Sequence, residues 1–201
     1  MQKKTKVDVR YMVTLAMLTA ILLVMAMTPL GTLPIGPLSV SFIMIPVAIG
    51  AIMLGPVGGM IMGAIFGVAS YLQCFGIGIP SGMGAILVEI DPFLAFVQRF
   101  VPRALAGLLC GFVYSGSKKL FNSTIAGYVT GFCAALFNTI LFMLSLVLLF
   151  GSTDYIQDLI GGQNIIIFIC TFVGIQAVVE MIADTIIVGA ISQITEKVRR
   201  K

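Results

Sequence analysis

TIAGYVTGFCAALFNTILFMLSLVLLF, residues 124–150, contains no Asp, Glu, Lys or Arg. An uncharged apolar run of this length spans the hydrocarbon core of a bilayer as an α-helix. A transmembrane β-strand would instead show a short segment of alternating polarity. In lipid every backbone N–H and C=O must be satisfied within the chain, so a continuous apolar run reads as a helix.

The rest of the chain follows the same pattern. Hydrophobic residues make up 59% of the 201 residues and charged residues 10%, and the mean hydropathy is +1.12. A soluble domain carries about 25% charge, so this sequence cannot cover a water-facing surface. It predicts an all-α integral membrane protein, a compact bundle of six transmembrane helices forming a single membrane domain over residues 1–201. The expected helices cover about residues 11–28, 40–54, 57–73, 92–114, 124–150 and 165–194, the second of them short. The basic, then apolar, N-terminus resembles a signal peptide, but its run is longer than a usual h-region and is read as a retained first helix.

Charge placement sets the orientation. Lys3, Lys4, Lys6 and Arg10 precede the first span, Lys118 and Lys119 separate the fourth and fifth, and Lys197, Arg199, Arg200 and Lys201 close the chain. With six spans all three clusters fall on one side, which the positive-inside rule makes cytoplasmic. A multi-pass protein of the plasma membrane with both termini cytoplasmic is expected. The net charge of +4 is therefore a topology signal and gives no reason to expect a nucleic-acid partner. The chain has no His, and its four Cys are scattered without a CxxC pair, so no metal site is expected. There is no Walker A, HExxH or GxSxG motif, and no catalytic residue or cofactor is expected.

Two connections on the side away from the basic clusters are rich in Gly and Pro, residues 28–39 and 74–92. Long connections of this kind often act as binding loops, and the second is read as a lid. Gly55, Gly59, Gly63 and Gly67 form a stripe at four-residue spacing; Gly107 and Gly111, and Gly127 and Gly131, repeat it. Small residues at this spacing let helix backbones approach closely in lipid. Ala16 and Ala20 have the same spacing in the first span and read as internal packing from spacing alone.

Four charges lie within the spans, and charge inside a membrane is costly enough to suggest function. Arg99 and Arg103 share one helix face, as do Glu180 and Asp184. From the helical rise, Arg103 lies about 16 Å, Asn138 about 18 Å and Glu180 about 22 Å below the outer ends of their spans. These three form one expected polar layer, with Arg99 shallower and Asp184 deeper. Either Arg103 pairs with Glu180 and locks the bundle, or an arginine receives an anion, for which the guanidinium fork suits a carboxylate. Asn138, Thr139 and Gln176, with Gln73 and Gln98 nearer the mouth, offer hydrogen bonds to a small polar molecule. Tyr71, Phe75, Phe93 and Phe96 are candidates for its apolar side. A polar pocket without an energy source suggests a binding subunit powered by another protein.

At these residues the chain resembles the substrate-binding S components of energy-coupling factor (ECF) vitamin transporters. The resemblance rests on the six apolar spans, Ala16-xxx-Ala20, IPVAIGAIMLGPVGGMIMGAIFG (Ile45 to Gly67) and VPRALAGLLCG (Val101 to Gly111), and covers nearly the whole chain. It is strongest with the pantothenate-type members, which share the IPVxIGAIxLGPxxG pattern. The resemblance implies a non-enzymatic subunit of an ABC-type transporter that captures a vitamin outside, with a transmembrane T protein and two cytoplasmic ATPases as partners. It implies that Ala16 and Ala20 dock onto the T protein and that residues 74–91 cover the vitamin. With the polar residues above, the expected substrate site is Arg103, Arg99, Asn138, Gln73, Gln176 and Glu180, although Glu180 and Asp184 depart from a simple anion site. Glu180 in that pocket leaves open another vitamin, such as pyridoxine, riboflavin or a thiamine precursor. A stand-alone proton-coupled transporter using Glu180 or Asp184 is the rival from a different class.

Overall fold

The computed structural model describes residues 9–35, 38–162 and 165–199. Their elements run α1 (Val9–Met27), β1 (Thr32–Ile35), β2 (Leu38–Ser41), α2 (Met44–Leu72), a 3-10 turn (Gln73–Phe75), α3 (Gly82–Ile90), α4 (Pro92–Leu120), α5 (Ser123–Phe150), α6 (Asp154–Ile160) and α7 (Ile165–Arg199). Val9–Met27, Met44–Phe75, Pro92–Leu120, Ser123–Phe150 and Gln176–Glu196 are each long and apolar enough to cross a bilayer. Large apolar side chains such as Met17, Ile21, Phe112, Leu148 and Ile186 are exposed along these helices, as lipid-facing surfaces require.

The long element α2 is two helical arms. Gly55 interrupts it with φ 80° and ψ −173°, a conformation open to glycine alone, and Pro56 starts the second arm, where a missing N–H costs nothing. The chain reverses here. A Cβ on Gly59 would come within 2.7 Å of Ala51 Cβ, and one on Gly50 within 2.8 Å of Met62 Cγ. Residues eight and twelve apart in a straight helix would be about 12 and 18 Å apart. The first arm, residues 44–54, is buried from Met44 to Ala51 and sits inside the bundle beside Leu18, Leu22 and Ala26 of α1.

The glycine stripe explains the tightest helix contact. A Cβ on Gly59 would collide with the carbonyl of Gly107, one on Gly63 with the carbonyl of Arg103, and one on Gly111 with the backbone of Pro56. The second arm of α2 and α4 therefore run antiparallel with their backbones touching, a contact only small residues permit. Gly131 meets the backbone of Asp184 in the same way, which joins α5 to α7.

Two local readings need correction. The second span was expected to be helical from residue 40, but β1 and β2 form an antiparallel hairpin with Thr32 opposite Ser41, and helix begins only at Met44. Residues 74–92 hold the nine-residue α3, capped at its N-terminus by Ser81. The connection before the last span holds α6. The short helices are not free loops: Met83 and Leu87 of α3 and Ile156 and Ile160 of α6 pack with Met143, Leu146 and Phe150 of α5 into a second apolar cluster.

Candidate functional site

A polar cavity lies between the two apolar clusters. The space in it open to a water-sized sphere is about 110 Å³, and its mouth is open. Six parts of the fold line it. The hairpin contributes Thr32 and Ser41, α2 and the turn after it Phe66, Ser70 and Gln73, and the segment before α3 Ile79, Pro80 and Ser81. Arg99 and Arg103 come from α4, Asn138, Thr139 and Phe142 from α5, and Gln176 and Glu180 from α7.

All six residues expected at a substrate site, Arg103, Arg99, Asn138, Gln73, Gln176 and Glu180, line this one cavity. Gln98 does not; it is fully buried, and neither side-chain polar atom has a hydrogen-bond partner among the described residues. Asp184, one turn beyond Glu180, is also fully buried and outside the lining. Nor do Tyr71, Phe75, Phe93 and Phe96 line it. Tyr71 stacks edge-on with Phe75 and Phe96 in a separate aromatic group, and Phe93 is exposed. The rings at the cavity are Phe66 and Phe142.

The arginine heads are fixed by the protein without being neutralised. Arg99 Nη2 donates to Ser81 Oγ at 3.2 Å, and Arg103 Nη1 donates to the carbonyl of Arg99 at 2.9 Å. The Arg103 guanidinium lies 4.7 Å from the Phe66 ring centroid and 5.2 Å from that of Phe142, in favourable cation–π range. Among the described residues Arg103 and Glu180 form no ion pair. Glu180 Oε1 instead accepts the backbone N–H of Ser41 at 2.6 Å. Gln73 Nε2 donates to the carbonyl of Ala26 at 2.8 Å, which ties the cavity wall to the end of α1.

Five polar atoms of the lining have no hydrogen-bond partner among the described residues: Nε of Arg99 and of Arg103, Oδ1 of Asn138, Oγ1 of Thr32 and Oγ of Ser41. Buried polar groups are nearly always paired, and leaving one unpaired costs about 1–3 kcal/mol. So many around one cavity equip it to hold a polar organic molecule, with cationic donors on α4 and a carboxylate on α7.

The sequence reading missed Thr32, Ser41, Ser70 and Ser81. Ser81 precedes a helix at an N-cap position, a signal present in the sequence. The contribution of Ser41 through its backbone leaves no trace in residue type.

Comparison with known proteins adds the family. A family model for the ECF transporter, substrate-specific component, matches residues 10–192. The chain is 28% identical over 193 residues to the pantothenate transporter PanT of Leuconostoc mesenteroides, covering 92% of this chain and 91% of that protein. It is 26% identical over 170 residues to the pantothenic acid transporter PanT of Lactococcus lactis, covering 78% of this chain and 80% of that protein. With its apolar helices and enclosed polar cavity, the chain is a multi-pass membrane protein that belongs to the family of ECF transporter substrate-specific components.

Proposed function

We propose that this protein captures pantothenate on the outer side of the plasma membrane and delivers it for ATP-driven uptake through a transmembrane T protein and two cytoplasmic ATPases. The single observation that carries this reading is the cavity with Arg99 and Arg103 on one wall and unpaired neutral polar atoms around it. Pantothenate has one carboxylate, one amide and two hydroxyls. The arginines take the carboxylate, and Asn138, Gln73 and Gln176 serve the amide and hydroxyls. The two similar proteins named for pantothenate transport support the same cargo.

The orientation follows from the bases. Arg10 at the start of α1, Lys118 and Lys119 in the last turn of α4 and Lys197 near the end of α7 mark one face, which the positive-inside rule makes cytoplasmic. The cavity then opens outward, and both termini are cytoplasmic. Counting the arms of α2 separately gives six crossings. The first arm, at 11 residues only about 16 Å long, is completed toward the outside by the hairpin. Ala16 and Ala20 are exposed on α1 and form the docking face for the T protein.

Calorimetric titration of the purified protein against pantothenate, pyridoxine, riboflavin and thiamine tests the reading. Nanomolar binding of pantothenate alone is expected. Selective binding of another vitamin would replace the cargo but keep the subunit role. Absence of binding, together with proton-coupled uptake by the isolated protein, would overturn both.

A further inference from the structure

The polar atoms that the hairpin and α7 bring to the cavity form a group of their own. Thr32 and Ser41 are directly opposed across the hairpin, and Ser41 N–H is bonded to Glu180 Oε1. Ser41 thus links the other two, paired with Thr32 on one side and bonded to Glu180 on the other, and all three line one corner of the cavity. Thr32 and Glu180 are only 7% exposed each. This corner is built from other elements than the cations: Arg99 and Arg103 come from α4, Glu180 from α7 and Thr32 and Ser41 from the hairpin.

We infer that this corner is a subsite for the ligand's terminal hydroxyl, so that the cavity reads the carboxylate at α4 and that hydroxyl at the hairpin, with the amide and the other hydroxyl left to Asn138, Gln73 and Gln176. The inference rests on the functional reading above and deepens it. A carboxylate is an acceptor only, with capacity beyond the one bond from Ser41, and it calls for a donor on the ligand. Thr32 Oγ1 and Ser41 Oγ can each donate or accept a hydrogen bond, yet neither atom has a partner among the described residues. A hydroxyl is donor and acceptor at once and serves both. A phosphate ester at the same position brings a second anion against Glu180 and loses the donated proton. The site thus takes a free hydroxy acid and refuses its phosphorylated form.

The test uses the full chain in detergent and titrates three ligands: pantothenate, its analogue lacking the terminal hydroxyl, and its phosphate ester at that hydroxyl. The proteins are wild type, Glu180→Gln, and Thr32→Val with Ser41→Ala, each checked for a monodisperse elution profile. Wild type is expected to bind the deoxy analogue about tenfold or more weakly than pantothenate, as for loss of one hydrogen bond to a charged group. It should bind the phosphate ester more weakly still. In both variants the gap between pantothenate and the deoxy analogue should shrink by at least about fivefold, and Glu180→Gln should also narrow the gap to the phosphate ester. If the variants weaken all three ligands equally, or change nothing, the subsite is overturned while pantothenate binding stands. If wild type binds none of the three, the functional reading fails and the subsite falls with it. The paired Thr32 and Ser41 substitutions keep the question decidable should Glu180→Gln fail to fold.

Discussion

The guanidinium of Arg103 is held by the backbone of Arg99, one turn earlier on the same helix, and not by Glu180, which accepts the N–H of Ser41. A buried ion pair would have used up the charge in fastening helices together. Here the α4 carbonyl sets the direction of the head, Phe66 and Phe142 flank it, and the remaining donors stay available to a ligand. Arg103→Ala should therefore lower pantothenate affinity by about 10- to 100-fold while the protein still elutes as a folded species. Arg103→Lys should recover only part of this, since an ammonium has the charge without the planar fork. Normal affinity in a poorly folding Arg103→Ala protein would mark the residue as purely structural.

Backbone contact between α2 and α4 makes a second expectation. A methyl group on Gly63 has to displace the backbone of Arg103 itself. Gly63→Ala should then destabilise the protein by about 1–3 kcal/mol, as overpacking does, and Gly63→Leu should abolish monodisperse protein. Gly116, also on α4, has nothing within 4 Å of its Cβ position. Gly116→Ala should be neutral or stabilising by up to about 1 kcal/mol. Thermal unfolding in detergent compares the two, and equal effects would contradict the packing account.

These two groups were legible in the sequence for a simple reason. Charges are rare in lipid, and four-residue glycine spacing has one main physical use there, so Arg103 and Gly63 announce themselves. Gln98 shows the limit: it is polar and sits beside Arg99 in sequence, yet a helix turns by about 100° per residue, and it ends outside the cavity. The hairpin was hidden because eight strand residues with mixed polarity, TLPI and LSVS, merge into the flanking apolar run. α3 and α6 were hidden because helices of nine and seven residues are too short to show a period. The corner formed by Ser41 and Glu180 depends on a backbone N–H, which every residue but proline has.

Ser81 has two tasks at the cavity mouth. Its hydroxyl oxygen accepts the N–H of Gly84 to cap α3 and accepts from Arg99 Nη2. The cover expected over residues 74–91 is thus joined to the arginine proposed to hold the ligand. Ser81→Ala removes both bonds. An N-cap loss costs about 1 kcal/mol, so pantothenate release should quicken by about fivefold or more, with a smaller change in association. Stopped-flow displacement with unlabelled ligand measures both rates. Unchanged release would show that this segment does not close the site.

α1 joins the proposed docking face to the cavity. Its middle carries Ala16 and Ala20, both exposed, while near its far end the carbonyl of Ala26 accepts Gln73 Nε2 of the cavity wall. Neither alanine belongs to the buried face of α1, which is Leu18, Leu22 and Ala26. Ala16→Trp and Ala20→Trp therefore add bulk without disturbing the bundle, and the purified variants should bind pantothenate within about twofold of wild type, as expected for exposed positions away from the site. In cells or proteoliposomes containing the T protein and ATPases, the same variants should lose most uptake, because a large ring prevents close helix approach in lipid. Co-purification with the T protein separates lost assembly from slowed turnover. Full uptake by both variants would put the docking face elsewhere, and loss of binding by the isolated variants would instead make α1 part of the site it is tied to.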